Sequence, residues 1–534
     1  MNYTTCEAYL SRHLFLIALF IVVITATAYS GALYNGFVWD DHDVIENYPL
    51  NSSIGNLPQL FVRTDSISGW PKTPFYRPLA RATFVMDRQI FGLRAWCYHA
   101  ENLLIHLANV LLLFLVARSL FREVAPSLLT AALFAVHPGI CEPVFALFAR
   151  NTLLSFLFMM TTLLTFQRGM KTHRYRWFAL SAVCFFLGSL SKEMTIMVLP
   201  LLGWLQFRFG GEYPLKGMVL RMAPFLTALI VYLLMRNNAL ALEQIPPLSF
   251  SGLASRLTNN IYIIPRYLLL AAWPAQLTVW HTIPTNLQPL TALIASGWVA
   301  LAAGTYAVIR YGGTTMKFGL FWGACLLVPV LGIWAVPGAP MAERHLYGPF
   351  AGFSLVVAAA GVLLIRKRPI ACAAIACCLL ALLTLRTIDR GGDWRNDITL
   401  FRSATQAYPD SVNAHYNLGE AYETSKNKDA ALIEWLTVIQ LSPNDIDALS
   451  KVGTHYFGAG QYDKALPYFE RAAAVRPDIY GLMNNLGSTL DILGRPGEAI
   501  QRYEQALRSL PPHNTFEINR LRGRIRFLRD TASK

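Results

Sequence analysis

Four groups of ionisable residues stand where apolar runs of the chain give way to polar sequence. Asp40, Asp41 and Asp43 follow the first run directly, His137 and Glu142 separate the third from the fourth, Lys192 and Glu193 separate the fifth from the sixth, and Glu343, Arg344 and His345 separate the ninth from the tenth. Ionisable groups at membrane depth are costly, so such positions are functional candidates by default. A carboxylate can accept the proton of an attacking hydroxyl, while Arg and Lys stabilise the charge on a departing phosphate. The combination suits a reaction between a phosphate-bearing lipid and an acceptor from outside the membrane. Taken singly, any one pair reads better as a solvated loop charge or a helix cap; the coincidence of four favours chemistry.

Apolar segments must position these groups. With 54% hydrophobic and 15% charged residues in 534, the chain carries more apolar surface than one soluble core can bury. Candidate spans run Leu14 to Tyr34, Leu103 to Val116, Leu128 to Val136, Val144 to Phe166, Trp177 to Leu190, Met194 to Phe207, Met222 to Met235, Leu290 to Ile309, Phe318 to Val336, Phe350 to Ile365 and Ile370 to Leu385, eleven in all. The first reads as a retained helix with a cytoplasmic N-terminus. Lys and Arg at Arg118 and Arg122, Arg168 to Arg176, Arg208 to Arg221, Arg310 and Lys317, and Arg366 to Arg368 then fall on one side, as the positive-inside effect requires. The loops Asn35 to Tyr98 and Asn237 to Pro289 and everything after Arg386 are expected outside, together with all four ionisable groups.

The net charge of +14 belongs mostly to the membrane half, since from Asn413 onward about 15 basic residues face 14 acidic ones. That balance argues against nucleic-acid binding. All eight cysteines, Cys6, Cys97, Cys141, Cys184, Cys325, Cys372, Cys377 and Cys378, lie in or beside apolar segments, with neither disulfide nor zinc spacing.

After Ser411 the sequence repeats every 34 residues. Leu418-Gly419, Val452-Gly453 and Leu486-Gly487 align, as do Ala431, Ala465 and Ala499, then Trp435, Phe469 and Tyr503, then Pro443, Pro477 and Pro511. Four columns at one spacing are a tetratricopeptide-repeat (TPR) pattern: Gly and Ala let paired helices approach, the aromatic fills the gap, and Pro ends the second helix. The expected layout is a half repeat at 394–412, repeats at 413–446, 447–480 and 481–514, and a capping helix at 515–531, forming a TPR domain at 394–534 after a membrane domain at 1–390. On the tail, Ile518, Leu521, Ile525 and Leu528 recur near helical spacing between arginines, which predicts a cap with a solvated basic face.

An ordered set of short motifs resembles the transmembrane and tetratricopeptide-repeat (TMTC) O-mannosyltransferases and their bacterial relatives. It comprises Phe37-Val38-Trp39-Asp40-Asp41, Tyr76-Arg77-Pro78-Leu79, Phe91-Gly92-Leu93 followed by His99, Asn102 and His106, His137-Pro138 with Glu142 and Arg150, Lys192-Glu193, and Glu343-Arg344 with Tyr347. The resemblance implies an all-α fold, a polytopic bundle of the GT-C glycosyltransferase type followed by a TPR α-solenoid. It implies a polyprenyl-phosphate sugar donor, mannose being the expected sugar, and transfer with inversion to an extracytoplasmic acceptor, expected to be protein Ser/Thr hydroxyls recruited by the solenoid. Asp40 or Asp41 would be the catalytic carboxylate, with a divalent cation there left open; Arg77, Lys192 and Arg344 would hold the donor phosphate. His137, Glu142, Arg150, Glu193, Glu343 and Tyr347 would line the same cavity. Asn151 stands where an acidic residue is expected after Arg150. His99 and His106 share a helical face, and packing there is favoured over metal binding.

Two other classes compete. A non-catalytic TPR scaffold for envelope or secretion assembly needs one anchoring helix and gives no reason for carboxylates at the mouth of a bundle. A lipid-sugar flippase predicts midplane charges and inverted repeats, which the pattern lacks. A bacterial inner membrane with periplasmic repeats is the expected compartment, the endoplasmic reticulum with luminal repeats the alternative.

Overall fold

The computed structural model describes residues 3–64, 75–209, 215–242, 250–283, 288–331 and 341–532. They are 85% helical, with no strand among them, and divide into two compact units, Met1–Leu400 and Phe401–Lys534.

In the first unit, each apolar run of the sequence coincides with a helix, but length separates them. Among the described residues, seven helices are long and apolar enough to cross a membrane: Leu14–Tyr34, Ala95–Phe121, Leu147–Thr172, Gly217–Ala241, Thr291–Tyr311, Tyr347–Lys367 and Pro369–Asp393. The chain is a multi-pass membrane protein. The count of eleven spans does not follow: Val124–Val136, Tyr175–Ser191 and Thr314–Val330 are shorter, and Met194 to Phe207 yields only the 12-residue helix Val198–Phe209. At 1.5 Å per residue the 13 residues of Val124–Val136 cover about 20 Å, against a hydrocarbon core of about 30 Å. Residues 332–336 of the ninth run lie outside the described residues. The expected loop Asn237 to Pro289 also holds a 23-residue helix, Phe250–Ala272, in which Thr258, Asn259, Asn260 and Arg266 break up the apolar run.

Burial ranks the helices. Of the most apolar stretch of Leu147–Thr172, 67% is buried in protein, whereas Thr291–Tyr311 and Pro369–Asp393 bury only 6% each. Helices Thr314–Leu327 and Tyr347–Lys367 cross at Gly319 and Gly352. A Cβ on Gly352 would stand 2.4 Å from the Gly319 carbonyl oxygen, so backbone meets backbone there and only glycine fits. Basic and imidazole residues in left-handed backbone end two of the membrane helices, Arg122 (φ 61°) after Ala95–Phe121 and His173 (φ 55°) after Arg150–Thr172. Positive charge at a helix C-terminus is favourable, and a left-handed residue there lets a terminal carbonyl find a partner.

The second unit stacks helix pairs: Val412–Thr424 with Lys428–Leu441, Ile446–Gly458 with Tyr462–Val475, Tyr480–Ile492 with Pro496–Ser509, and a final Thr515–Ala532. A Cβ on Gly419, Gly453 or Gly487 would come within 2.4 Å of Trp435, 2.7 Å of Phe469 and 2.8 Å of Tyr503 respectively. The glycine and aromatic columns of the repeat are therefore two sides of one contact. Leu521, Ile525 and Leu528 of the last helix are buried in the same core, while Arg520, Arg524 and Arg529 pair with Glu517, Asp491 and Glu504.

Candidate functional site

The first aspartates sit in a turn that needs outside support. Trp39 adopts φ 53°, left-handed backbone that a bulky L-residue enters only at a cost of about 1–2 kcal/mol. Its amide donates to Asp397 Oδ1 at 2.7 Å, and His42 Nε2 donates to Oδ2 of the same carboxylate at 2.9 Å. Upstream, Asn35 Nδ2 donates to the Gly391 carbonyl (3.2 Å) and the Gly36 amide to the Arg395 carbonyl (3.1 Å). The segment 391–397 thus brackets the turn from Asn35 to His42.

The two candidate carboxylates are not equivalent. Asp41 is fully buried; Oδ1 accepts the Phe148 amide at 2.7 Å and Oδ2 the Val38 amide at 3.2 Å. Burial pushes its carboxyl up to about 8, although those two amides hold it down. Asp40 is recessed yet partly open, and it makes no hydrogen bond or ion pair with any described residue. Burial pushes Asp40 up to about 6 against the pull of the Arg344 guanidinium. A carboxyl of that pKa is largely ionised at neutral pH and still basic enough to take a proton.

The candidate cations surround the same electrostatic neighbourhood in different states of engagement. Arg344 donates its amide to Glu142 Oε2 and a guanidinium N–H to Oε1, both at 2.6 Å. Its guanidinium carbon lies 5.7 Å from the Trp39 ring centroid and 5.5 Å from that of Phe148. Arg77 forms a two-pronged pair with Glu193, Nε to Oε2 at 3.1 Å and NH2 to Oε1 at 2.6 Å. Burial alone would raise Glu193; Arg77 outweighs it and takes the carboxyl down to about 2. Lys192 is buried and donates to the Thr152 hydroxyl at 2.8 Å, a neutral partner. Burial first, then the nearby Arg77, lowers its ammonium to about 7, while Glu193 works the other way. Arg344, Arg77, Glu193 and Glu142 all act on Lys192, which puts the second, third and fourth ionisable groups within one field.

Other candidates face inward. Arg150 is fully buried and clamps three helices, donating to Asn102 Oδ1 (2.7 Å), Asp87 (2.5 Å), Glu101 (2.9 Å) and the Tyr98 carbonyl (3.2 Å). The acidic partners missing at Asn151 come from other helices. Glu343 accepts the Thr278 amide at 2.5 Å and lies 3.5 Å from Arg390, both side chains fully buried. His137 Nδ1 accepts the Gly139 amide at 3.2 Å, and its ring lies against Phe350. Tyr347 donates to His106 Nδ1 at 2.8 Å and accepts from Asn109 at 3.1 Å, within the bundle. His99 Nε2 donates to the Gly36 carbonyl at 3.2 Å and His106 Nε2 to the Ala135 carbonyl at 3.3 Å, so both rings serve hydrogen bonds and packing.

Two residues escaped the sequence reading. Thr152 holds Lys192, and Asp397 holds the turn. Asp397 opens the helix Asp397–Ala407 behind Asn396, whose side chain accepts the Thr399 amide, so in sequence it reads as an ordinary acidic first-turn residue. No pattern in the chain links it to His42, 355 positions away.

No group of three or more His, Cys, Asp or Glu side chains among the described residues has the arrangement of a metal site. Asp41, with both oxygens on amides, does not fit a cation-binding role.

Comparison with known proteins adds an independent line. Residues 78–240 match the family model described as dolichyl-phosphate-mannose-protein mannosyltransferase, and residues 390–446 and 444–511 match tetratricopeptide-repeat models. Glu142, Arg150, Lys192 and Glu193 fall inside the first match. Protein O-mannosyl-transferase TMTC3 of Homo sapiens is 27% identical over 572 residues, covering 94% of this chain and 61% of its own length. Protein O-mannosyl-transferase F38B6.6 of Caenorhabditis elegans is 25% identical, covering 80% and 63%, and TMTC4 of Mus musculus is 26% identical, covering 75% and 63%. The chain spans about three fifths of the length of the first of these relatives.

Proposed function

We propose, for a chain that belongs to the TMTC O-mannosyltransferase family of the GT-C class, that it is a membrane glycosyltransferase moving mannose from a polyprenyl phosphate to a protein Ser/Thr hydroxyl. One observation carries this reading. Asp40, a carboxylate that no described residue engages, shares a field with Arg344, itself close enough to act on Lys192.

In the reaction, the acceptor oxygen bonds to the anomeric carbon as the bond from that carbon to the phosphate oxygen breaks. The hydroxyl proton passes to Asp40, and the electron pair leaves with the phosphate. Attack from the face opposite the phosphate inverts the centre and needs a single base, because phosphate departs without a general acid. Lys192, whose described partner is only a hydroxyl, is the cation best placed to gain from an arriving phosphate, with Arg344 and Arg77 adding field from their carboxylate pairs. Glu142 and Glu193 aim those arginines; His137, Arg150, Glu343 and Tyr347 hold the surrounding elements. Lys and Arg clusters on the opposite ends of the helices favour an extracytoplasmic site, and the stacked repeats favour a protein acceptor.

The test uses purified full-length protein in detergent, radiolabelled polyprenyl-phosphate mannose and a membrane extract. Label reaching protein with wild type and not with Asp40→Asn supports the reading. No transfer from mannose or from a panel of other lipid-linked sugars would point instead to a non-catalytic scaffold.

A further inference from the structure

We propose that Asp397 is a positioning residue of the transfer reaction, holding the turn Val38 to His42 in the strained conformation that presents Asp40. The inference rests on the function proposed above.

The strain is the starting point. A tryptophan in left-handed backbone relaxes to ordinary geometry unless its surroundings hold it, and the cost of about 1–2 kcal/mol must be met by specific bonds. Two of those bonds come from one carboxylate: Asp397 Oδ1 accepts the Trp39 amide at 2.7 Å and Oδ2 accepts His42 Nε2 at 2.9 Å. They grip the turn on both sides of Asp40. Hydrogen bonds with an ionised acceptor are about twice as strong as neutral ones, so this one side chain suffices to offset the strain. His42 also meets Glu46, which leaves the imidazole between two carboxylates.

The geometry of Trp39 matters to the reaction in two ways. Its φ and ψ set the direction in which the next residue, Asp40, leaves the backbone. Its ring packs edge-on to Phe148 at 5.2 Å and lies 5.8 Å from Trp280, beside the Arg344 guanidinium. Release of the Trp39 amide therefore displaces the proposed base and disturbs the neighbour of a proposed phosphate-binding arginine at once. An acid in a helix first turn serving only the helix dipole would face solvent and make no such paired contact.

Full-length Asp397→Ala and Asp397→Asn proteins in detergent test the proposal, with donor KM, kcat and hydrogen exchange at the Trp39 amide as readouts. Asn keeps an oxygen for the Trp39 amide; Ala keeps nothing. The expected result for Ala is a kcat lowered about 10- to 100-fold, a smaller rise in donor KM and faster exchange at Trp39, since a displacement of about 1 Å costs about that much rate. Asn should retain most of kcat and most of the protection. Wild-type kcat in Asp397→Ala overturns the inference and leaves the transferase reading standing. Equal losses in both variants, accompanied by a lowered melting temperature, overturn it too, because they mark a purely structural carboxylate. A wild-type protein that transfers no lipid-linked sugar overturns the reading itself, while unchanged exchange at Trp39 in Asp397→Ala overturns the hold on the turn whatever the activity.

Discussion

Asp41 accepts the Phe148 amide at 2.7 Å, and that bond divides the work of two adjacent aspartates. With its second oxygen on the Val38 amide, Asp41 ties the turn to the segment before the helix Arg150–Thr172, leaving Asp40 as the carboxylate without a described partner. Removing Asp41 by substitution with Ala strands two amides, each costing about 1–3 kcal/mol when buried. Asp41→Ala is therefore expected to lose about 2–6 kcal/mol of stability, read as a lower melting temperature in detergent. Asp40→Asn should melt as wild type does and lose about 10²- to 10⁴-fold in kcat, the range of one general base. A stable, active Asp40→Asn protein would assign the base elsewhere.

Transfer should follow a bell-shaped pH profile. The proposed base Asp40 can take a proton only when ionised, so activity is expected to rise as pH climbs through about 6, the value to which burial brings it. Lys192, the proposed phosphate-binding cation, can serve only when charged, and its ammonium, lowered by burial, loses the proton as pH climbs through about 7. The falling limb therefore belongs to donor affinity and should appear in kcat/KM. Lys192→Arg keeps a charge at every accessible pH and is expected to abolish that limb, if the longer side chain still binds donor at low pH. A falling limb that persists unchanged in an active Lys192→Arg protein would show that another group titrates there.

The fold was legible where the chain repeats a physical requirement. Periodic Gly419 and Trp435, Gly453 and Phe469, and Gly487 and Tyr503 appear as columns because each pair is one contact copied along the solenoid. Apolar runs located every membrane helix, yet length alone could not tell a span from a short buried helix such as Val124–Val136, since composition is alike in both. The site was legible as a set of charges and illegible as a set of pairings. Glu193 with Arg77 are 116 positions apart and Arg344 with Glu142 are 202 apart, so their spacing carries no period. Asp397 was hidden further, because its chemistry matched a common local use of aspartate.

Glu193 should make stability sensitive to acid in a specific window. Its folded carboxyl stands at about 2, below its ordinary 4.5, so the Arg77 pair contributes stability that is fully present above about 4.5 and fades as pH falls through 2. Breaking the pair with Arg77→Ala leaves Glu193 without its guanidinium and is expected to cost about 3–5 kcal/mol at neutral pH. Glu193→Gln removes the carboxylate charge that faces the guanidinium instead, and the double substitution should recover part of either loss. Chemical denaturation at pH 7 and pH 3 measures this directly: a variant Arg77→Ala as stable as wild type at pH 7 would mean the pair contributes nothing.

The repeats offer a way to separate recruitment of the acceptor from chemistry. A methyl group on Gly419 would lie 2.4 Å from Trp435 Nε1, and Trp435 is itself buried in the core of the stack, so the ring cannot swing aside without leaving a gap. Gly419→Ala is expected to cost about 1–3 kcal/mol by overpacking. Replacing the ring with a smaller side chain, Trp435→Leu, should restore part of that loss in the double variant, because the two changes act on one contact and cannot add independently. If the solenoid presents the protein acceptor, Gly419→Ala lowers transfer to protein in the membrane extract, while a small hydroxyl acceptor supplied at high concentration is mannosylated at the wild-type rate. Parallel losses with both acceptors would instead tie the repeat to the chemistry in the membrane unit, and unchanged transfer with both would remove the solenoid from the reaction.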